Sequence, residues 1–133
     1  MSEEQYAERM AVSRAIMNIL DDWGLELSDR HTLLALPTEI RARSMEKFRD
    51  KEPFPDEVEI NRRLEHIIGI ADALRTMHPT NQQMGLYWMR RPCRQLGGRV
   101  PLAVMLEDGA QGLVRVRLHL DCTYAWDQSG SRC

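Results

Sequence analysis

The stretch MGLYWMRRPCRQLGGRVPLAVMLEDGAQGLVRVRLHL, residues 84–120, decides the fold. Trp88-Met89-Arg90-Arg91-Pro92 reads as a helix ending against a proline, because Pro92 disfavours the α conformation at Arg91. Gly97-Gly98, the only paired glycines, predict a tight loop between Cys93 and Val100. Pro101 suits the first position of a new helix, where its missing N–H is no loss. Gly109 suits the left-handed residue that closes that helix. The remaining run, Val114 to Leu120, alternates as a strand would. No other run offers it a strand to pair with, and a lone strand leaves its backbone groups unmatched. Leu113, Val116, Leu120 and Tyr124 also share a helix face, so a helix is expected. The order is helix, loop, short helix, turn, helix, and it contains no catalytic pattern.

Upstream, Val12, Ile16, Ile19, Leu20 and Trp23 recur at helical spacing and predict a helix from about Gln5 to Trp23, stopped by Gly24. Ser28 is a candidate N-cap for a short helix carrying Leu33 and Leu34, broken by Pro37. Thr38 then caps a third helix to about Asp50, with Ile40, Met45 and Phe48 inward. Pro53 and Pro55 flank Phe54, which marks a hinge and divides the chain into domains 1–52 and 56–133. Asp56 and Glu59 form a capping-box pattern for the longest helix, about Glu57 to Met77. Its apolar face runs Ile60, Leu64, Ile67, Ile68, Ala71, Leu74. Gly69, inside it, suggests the close approach of another helix. Pro79 ends it, Asn81 caps the helix bearing Trp88, and the small polar tail 127–133 is expected to be disordered. The fold class is all-α, with a helix-turn-helix-like N-terminal bundle.

Composition limits the function. The 133 residues are 43% hydrophobic and 29% charged, as in ordinary globular proteins. No apolar run approaches a membrane span, and the acidic start Met-Ser-Glu-Glu is unlike a signal peptide, so a cytoplasmic location is expected. Three scattered cysteines and four single histidines suggest neither a disulfide framework nor a metal site, and no cofactor is implied. The net charge of −2 hides an asymmetry: residues 1–60 carry −6 and residues 61–133 carry +4. The basic C-terminal half favours an acidic partner. Sixteen of the eighteen bases are arginine, a bias that an interface and a GC-rich genome explain equally well.

Two sets of residues are candidates for binding. Helices at 28–36 and 38–50 resemble a helix-turn-helix, whose second helix would read DNA through Arg41, Arg43, Lys47 and Arg49. The alternative for this half is a plain helical pair. The arginines Arg90, Arg91, Arg94, Arg99, Arg115 and Arg117 gather around the loop rich in glycine and proline and point to a protein interface. No phosphate loop, nucleophile elbow or Cys–His arrangement is visible.

From Asn61 to Cys122 the sequence resembles the toxin-binding domain of the Xre/MbcA/ParS antitoxin family. The matching pieces are Arg63-Leu64 through Leu74-Arg75, Trp88 to Pro92, Leu96-Gly97-Gly98-Arg99, Pro101-Leu102, Met105-Leu106, Gly109, and Val114 to Asp121. Trp23-Gly24-Leu25, Leu33-Leu34 and Lys47-Phe48-Arg49 resemble that family's N-terminal half, so the resemblance extends from about residue 10 to 122. Cys93, Val100, Phe48 and Ala35 depart from residues usual in the family. The resemblance implies a non-enzymatic antitoxin of a type II toxin–antitoxin system. Its partner would be a RES-domain toxin that attacks NAD⁺ and whose active site it covers. It also implies a homodimer, with operator DNA as a further candidate partner and no membrane. Trp88, the six arginines named above, and the aromatic pair Tyr124 and Trp126 are then the candidate toxin contacts. A stand-alone helix-turn-helix regulator is the alternative.

Overall fold

Ser2 begins the first helix, α1 (Glu3–Asp22), with a reciprocal cap: its hydroxyl accepts from the Gln5 N–H, and the Gln5 side chain accepts from the Ser2 N–H. The structure is a computed structural model that describes residues 2–128, with side chains described as far as Cys122. Within these residues it is all-helical apart from one isolated β-bridge. By its contacts the chain divides into two units, Met1–Leu64 and Glu65–Cys133.

In the first unit, α1 buries Ile16, Met17 and Leu20, while Val12, expected inward, is 37% exposed. Ser13 takes the inward place instead. Its hydroxyl donates to the Arg9 carbonyl at 2.8 Å and accepts the Phe54 N–H at 2.9 Å, so a polar residue is buried without an unmet hydrogen bond. Trp23 and the left-handed Gly24 end the helix, as expected.

α2 (Leu27–Leu34) starts earlier than expected. Glu26, not Ser28, holds the N-cap position, and no side chain caps it. Arg30 is buried in this helix. It donates to the Leu25 carbonyl at 2.9 Å and to Asp21 at 2.8 Å, so its charge is met. Hydrogen bonds from Arg49 first and Arg30 second hold the Asp21 carboxyl below the usual range, against the opposing effect of its partial burial.

Ala35 closes α2 in the left-handed conformation (φ 54°), the one non-glycine residue described with positive φ. The Leu36 N–H reaches the His31 carbonyl and the Ala35 N–H reaches that of Thr32, a Schellman closure with alanine where glycine is usual. A left-handed L-residue costs about 1 kcal/mol or more. Ala35→Gly is therefore expected to stabilise the first unit by about 1 kcal/mol, after allowing for the extra freedom glycine gives the unfolded chain. A higher urea midpoint at unchanged slope is the check, and a lower midpoint would contradict it.

The continuous helix expected over 38–50 does not form. Residues 38–40 turn, Arg41 is extended (ψ 147°), Ala42–Ser44 make a 3-10 turn, and α3 (Lys47–Asp50) is one turn long. The His31 ring lies within hydrogen-bonding distance of two carbonyls, Pro37 at 3.2 Å and Ile40 at 2.6 Å, and so ties the turn to α2. With Arg41 extended, the chain has to start a helix afresh. Met45 and Phe48 are nevertheless buried, as their spacing suggests, and Ile40 is half-buried.

The stretch Pro53–Pro55, expected as a hinge, is fastened down. Phe54 is 1% exposed and its ring lies 4.6 Å from that of Phe48. One guanidinium nitrogen of Arg9 donates to the carbonyls of Phe54 and Pro55 and to Asn61. The division at Leu64 and Glu65 falls inside α4 (Val58–Met77) rather than at the prolines. Asp56 accepts from the Asn61 side chain, and Glu59 is held by Arg63, in place of the expected capping box.

In the second unit, α4 buries Ile67, Ile70 and Leu74, while Ile68 and Ala71 are half-buried. Asn81 caps α5 (Gln82–Met89) through its side chain. A 3-10 turn, Arg94–Leu96, follows, and α6 (Pro101–Gln128) begins at the proline as expected. Gly109 (φ 65°, ψ −137°) breaks α6 into two arms. That conformation is open essentially to glycine alone. A Cβ on Gly112 would run into the Val104 carbonyl, so the second arm folds back onto the first where a side chain is missing. The alternating run 114–120 is helical, with Leu113, Val116 and Leu120 buried. The helix runs to Gln128, and the rest of the tail expected to be disordered lies outside the described residues.

Candidate partner-binding surface

α5 has two unlike sides. Gly85 and Met89 are buried, and a Cβ on Gly85 would touch the Leu74 side chain, so the missing side chain lets α5 lie close to α4. On the other side Met84 is 46% and Tyr87 56% exposed. The Arg91 guanidinium lies 4.7 Å from the Tyr87 ring centroid, a cation–π contact. Trp88, between the two sides, stacks on His119 of α6, with centroids 5.6 Å apart and planes within 3°. Burial lowers the pKa of His119 and favours its neutral form. Its Nε2 is 3.7 Å from the Cys93 sulfur.

The loop after α5 is built by the predicted residues. Gly97 (φ 72°) and Gly98 (φ 78°) are left-handed in succession, which lets the Gly98 N–H return to the Cys93 carbonyl. The Cys93 N–H then bonds the Arg99 carbonyl at 2.9 Å, forming an antiparallel bridge. Leu96 is buried beneath it, and Arg90, Arg91 and Arg94 are exposed.

The structure separates the six expected arginines. Arg99 donates to Asp108 and to Glu107, each at 2.7 Å, and Arg115 lies 3.5 Å from the same Asp108. Hydrogen bonds from Arg99, with the charge of Arg115 behind them, hold the Asp108 carboxyl below its usual range. Arg117 lies across α4: a Cβ on Gly69 would run into its guanidinium, and its Nη1 is 3.2 Å from His66 Nδ1. Gly69 thus admits α6, as its place in the helix suggested. These three arginines have partners within the fold, whereas Arg91, laid over Tyr87, and Arg94 are exposed. Sequence reasoning missed Met84 and Tyr87. Their spacing with Arg91 along α5 was the available signal. Tyr124 and Trp126 lie beyond the residues whose side chains are described.

The four candidate DNA contacts are likewise divided. Arg41 and Arg43 are exposed, but Lys47 pairs with Glu52 at 3.0 Å. Arg49 is engaged by Asp21, Glu46 and Asn18. The hydrogen bonds it donates to Asp21 and then Glu46 raise its pKa further.

Among the described residues, no three His, Cys, Asp or Glu side chains gather to hold a metal, and no helix is long and apolar enough to cross a membrane. Residues 73–122 match the model of the antitoxin Xre/MbcA/ParS C-terminal toxin-binding domain. The matched family is described as a toxin-binding domain rather than a catalytic one. The match takes in α5, the glycine loop and both arms of α6 up to Cys122. It leaves out the N-terminal stretch that the sequence also likened to the family. No curated protein matches the chain.

Proposed function

We propose that this protein is a cytoplasmic antitoxin that binds a RES-domain toxin and neutralises its consumption of NAD⁺ by covering the active site, acting as a homodimer. The family match over 73–122 carries this reading. The exposed Tyr87, Arg91 and Arg94 agree with it, since aromatic residues and arginine are enriched at protein interfaces. The C-terminal end of α6, with Tyr124 and Trp126, is the part of the chain we assign to the toxin's active site.

Co-expression of the full chain with the RES-domain toxin encoded beside its gene is expected to restore growth, and the purified chain to protect NAD⁺ from that toxin. Growth arrest with the chain present in soluble form would overturn the reading. A chain ending at Cys122 is expected still to associate with the toxin but to lose protection of NAD⁺. Full protection by the shortened chain would show that the C-terminal segment is dispensable.

Repression of its own operon belongs to the same proposal, and Arg41 and Arg43 are its best-placed residues. A stand-alone helix-turn-helix regulator is the weaker reading. The one-turn α3 is a short element for the major groove, and Lys47 and Arg49 are already paired with carboxylates.

A further inference from the structure

We propose that the exposed side of α5 and the loop after it, formed by Met84, Tyr87, Arg91 and Arg94, is the surface that docks the partner, and that its occupant is a protein surface bearing a carboxylate cluster beside an apolar hollow. This rests on the antitoxin reading and names the chemistry the toxin must present.

Geometry is the first support. Met84, Tyr87 and Arg91 recur at a spacing that places them on one side of α5 and its exit, opposite the buried Gly85 and Met89. Met84 and Tyr87 leave an apolar strip in water, and Arg91 is already laid over the Tyr87 ring. A cation held in place before binding loses less side-chain freedom when the partner arrives.

Charge is the second. Between Asp72 and Glu107 the sequence has no acidic residue and five arginines. The two at the ends are neutralised by carboxylates outside that span: Arg75 by Asp72, and Arg99 by Asp108 and Glu107. The positive excess on this surface is then carried by Arg91 and Arg94, next to the apolar strip. An acidic partner is attracted there, and at low salt its association is accelerated. Because Arg99, Arg115 and Arg117 already have partners within the fold, they are poorer candidates than Arg91 and Arg94.

Nucleic acid fits this surface less well. Its centre is apolar, its two arginines could neutralise only about two phosphates, and Arg91 covers a ring face on which a base would stack.

The test uses the full chain and the purified RES-domain toxin encoded beside its gene, with affinity measured by calorimetry at two salt concentrations. Tyr87→Ala and Arg91→Glu are each expected to weaken binding by about 30-fold or more, as at interface hot spots. The double variant Arg91→Glu/Arg94→Glu should also flatten the salt dependence. Arg62→Glu, at an exposed position on α4, is the control and should bind as the wild type does. Circular dichroism checks that each variant keeps its fold. Wild-type binding that persists within threefold in all α5 variants would overturn this surface and leave the antitoxin reading standing. No binding by the wild-type chain would overturn both. Tight binding of a duplex or single-stranded oligonucleotide that these same substitutions abolish would replace the protein partner with nucleic acid.

Discussion

Gly112→Val is expected to destabilise the second unit by about 3 kcal/mol, a large share of the total stability of a small domain. At Gly112 the obstacle to a side chain is backbone: a Cβ there would meet the Val104 carbonyl oxygen, with the Val104 carbonyl carbon 2.9 Å and Asp108 Cβ 3.0 Å away. A flexible side chain could swing aside, but a carbonyl inside a helix moves only with its helix. Gly109 makes the reversal between the two arms and leaves little slack, because its φ of 65° and ψ of −137° are strained for any other residue. Opening the arms would disturb the packing of both, since Val104, Met105, Leu113 and Val116 are all buried. Gly112→Ala should cost about 2 kcal/mol, since its Cβ alone already meets the obstacle. Thermal unfolding followed by circular dichroism measures both, and an unchanged midpoint for the valine variant would show that the arms are not in close contact at this point.

Phe54→Ala is expected to cost the first unit about 4 kcal/mol, the transfer and cavity cost of a fully buried phenylalanine. The substitution removes the ring that lies 4.6 Å from Phe48 and empties the space under the Pro53–Pro55 strap. The strap's backbone bonds do not replace that loss. The Ser13 hydroxyl and the Arg9 guanidinium are placed for a chain held in by the ring, and without it both would have to find water. Phe54→Leu keeps most of the volume and should cost about 1.5 kcal/mol. Urea denaturation separates the outcomes. A midpoint unmoved by alanine would mean that this segment is the open hinge its prolines suggest.

The local signals in the sequence were read correctly where one residue's own conformational limits decide the outcome. Pro92 does stop α5, Pro101 does start α6, and Asn81 does cap. Gly24, Gly97, Gly98 and Gly109 all take positive φ. The alternating run 114–120 became helix because a strand without a partner leaves its backbone hydrogen bonds unmade. The candidate surface was legible in part: the sequence located the arginine-rich region and the resemblance, whereas the exposure of Tyr87 and the pairing of Arg99, Arg115 and Arg117 within the fold depended on what the folded chain places opposite each side chain.

The failures share that cause. Ser13 is inward and Val12 outward because the Phe54 backbone, far along the chain, supplies the serine with a hydrogen bond. Residues 38–50 have helical spacing, but the His31 side chain ties down the turn at their start. The prolines around Phe54 suggest a hinge, yet a ring pocket and one arginine fasten the segment. By itself the sequence determined the helical class and the breaks at Gly24, Pro92, Gly97-Gly98 and Gly109, because proline, glycine and capping residues act within a few positions of themselves. The tertiary structure alone decided which polar groups are buried and which arginines remain available to a partner. Burial and ion pairing depend on what lies opposite a side chain in space, and no local pattern records that.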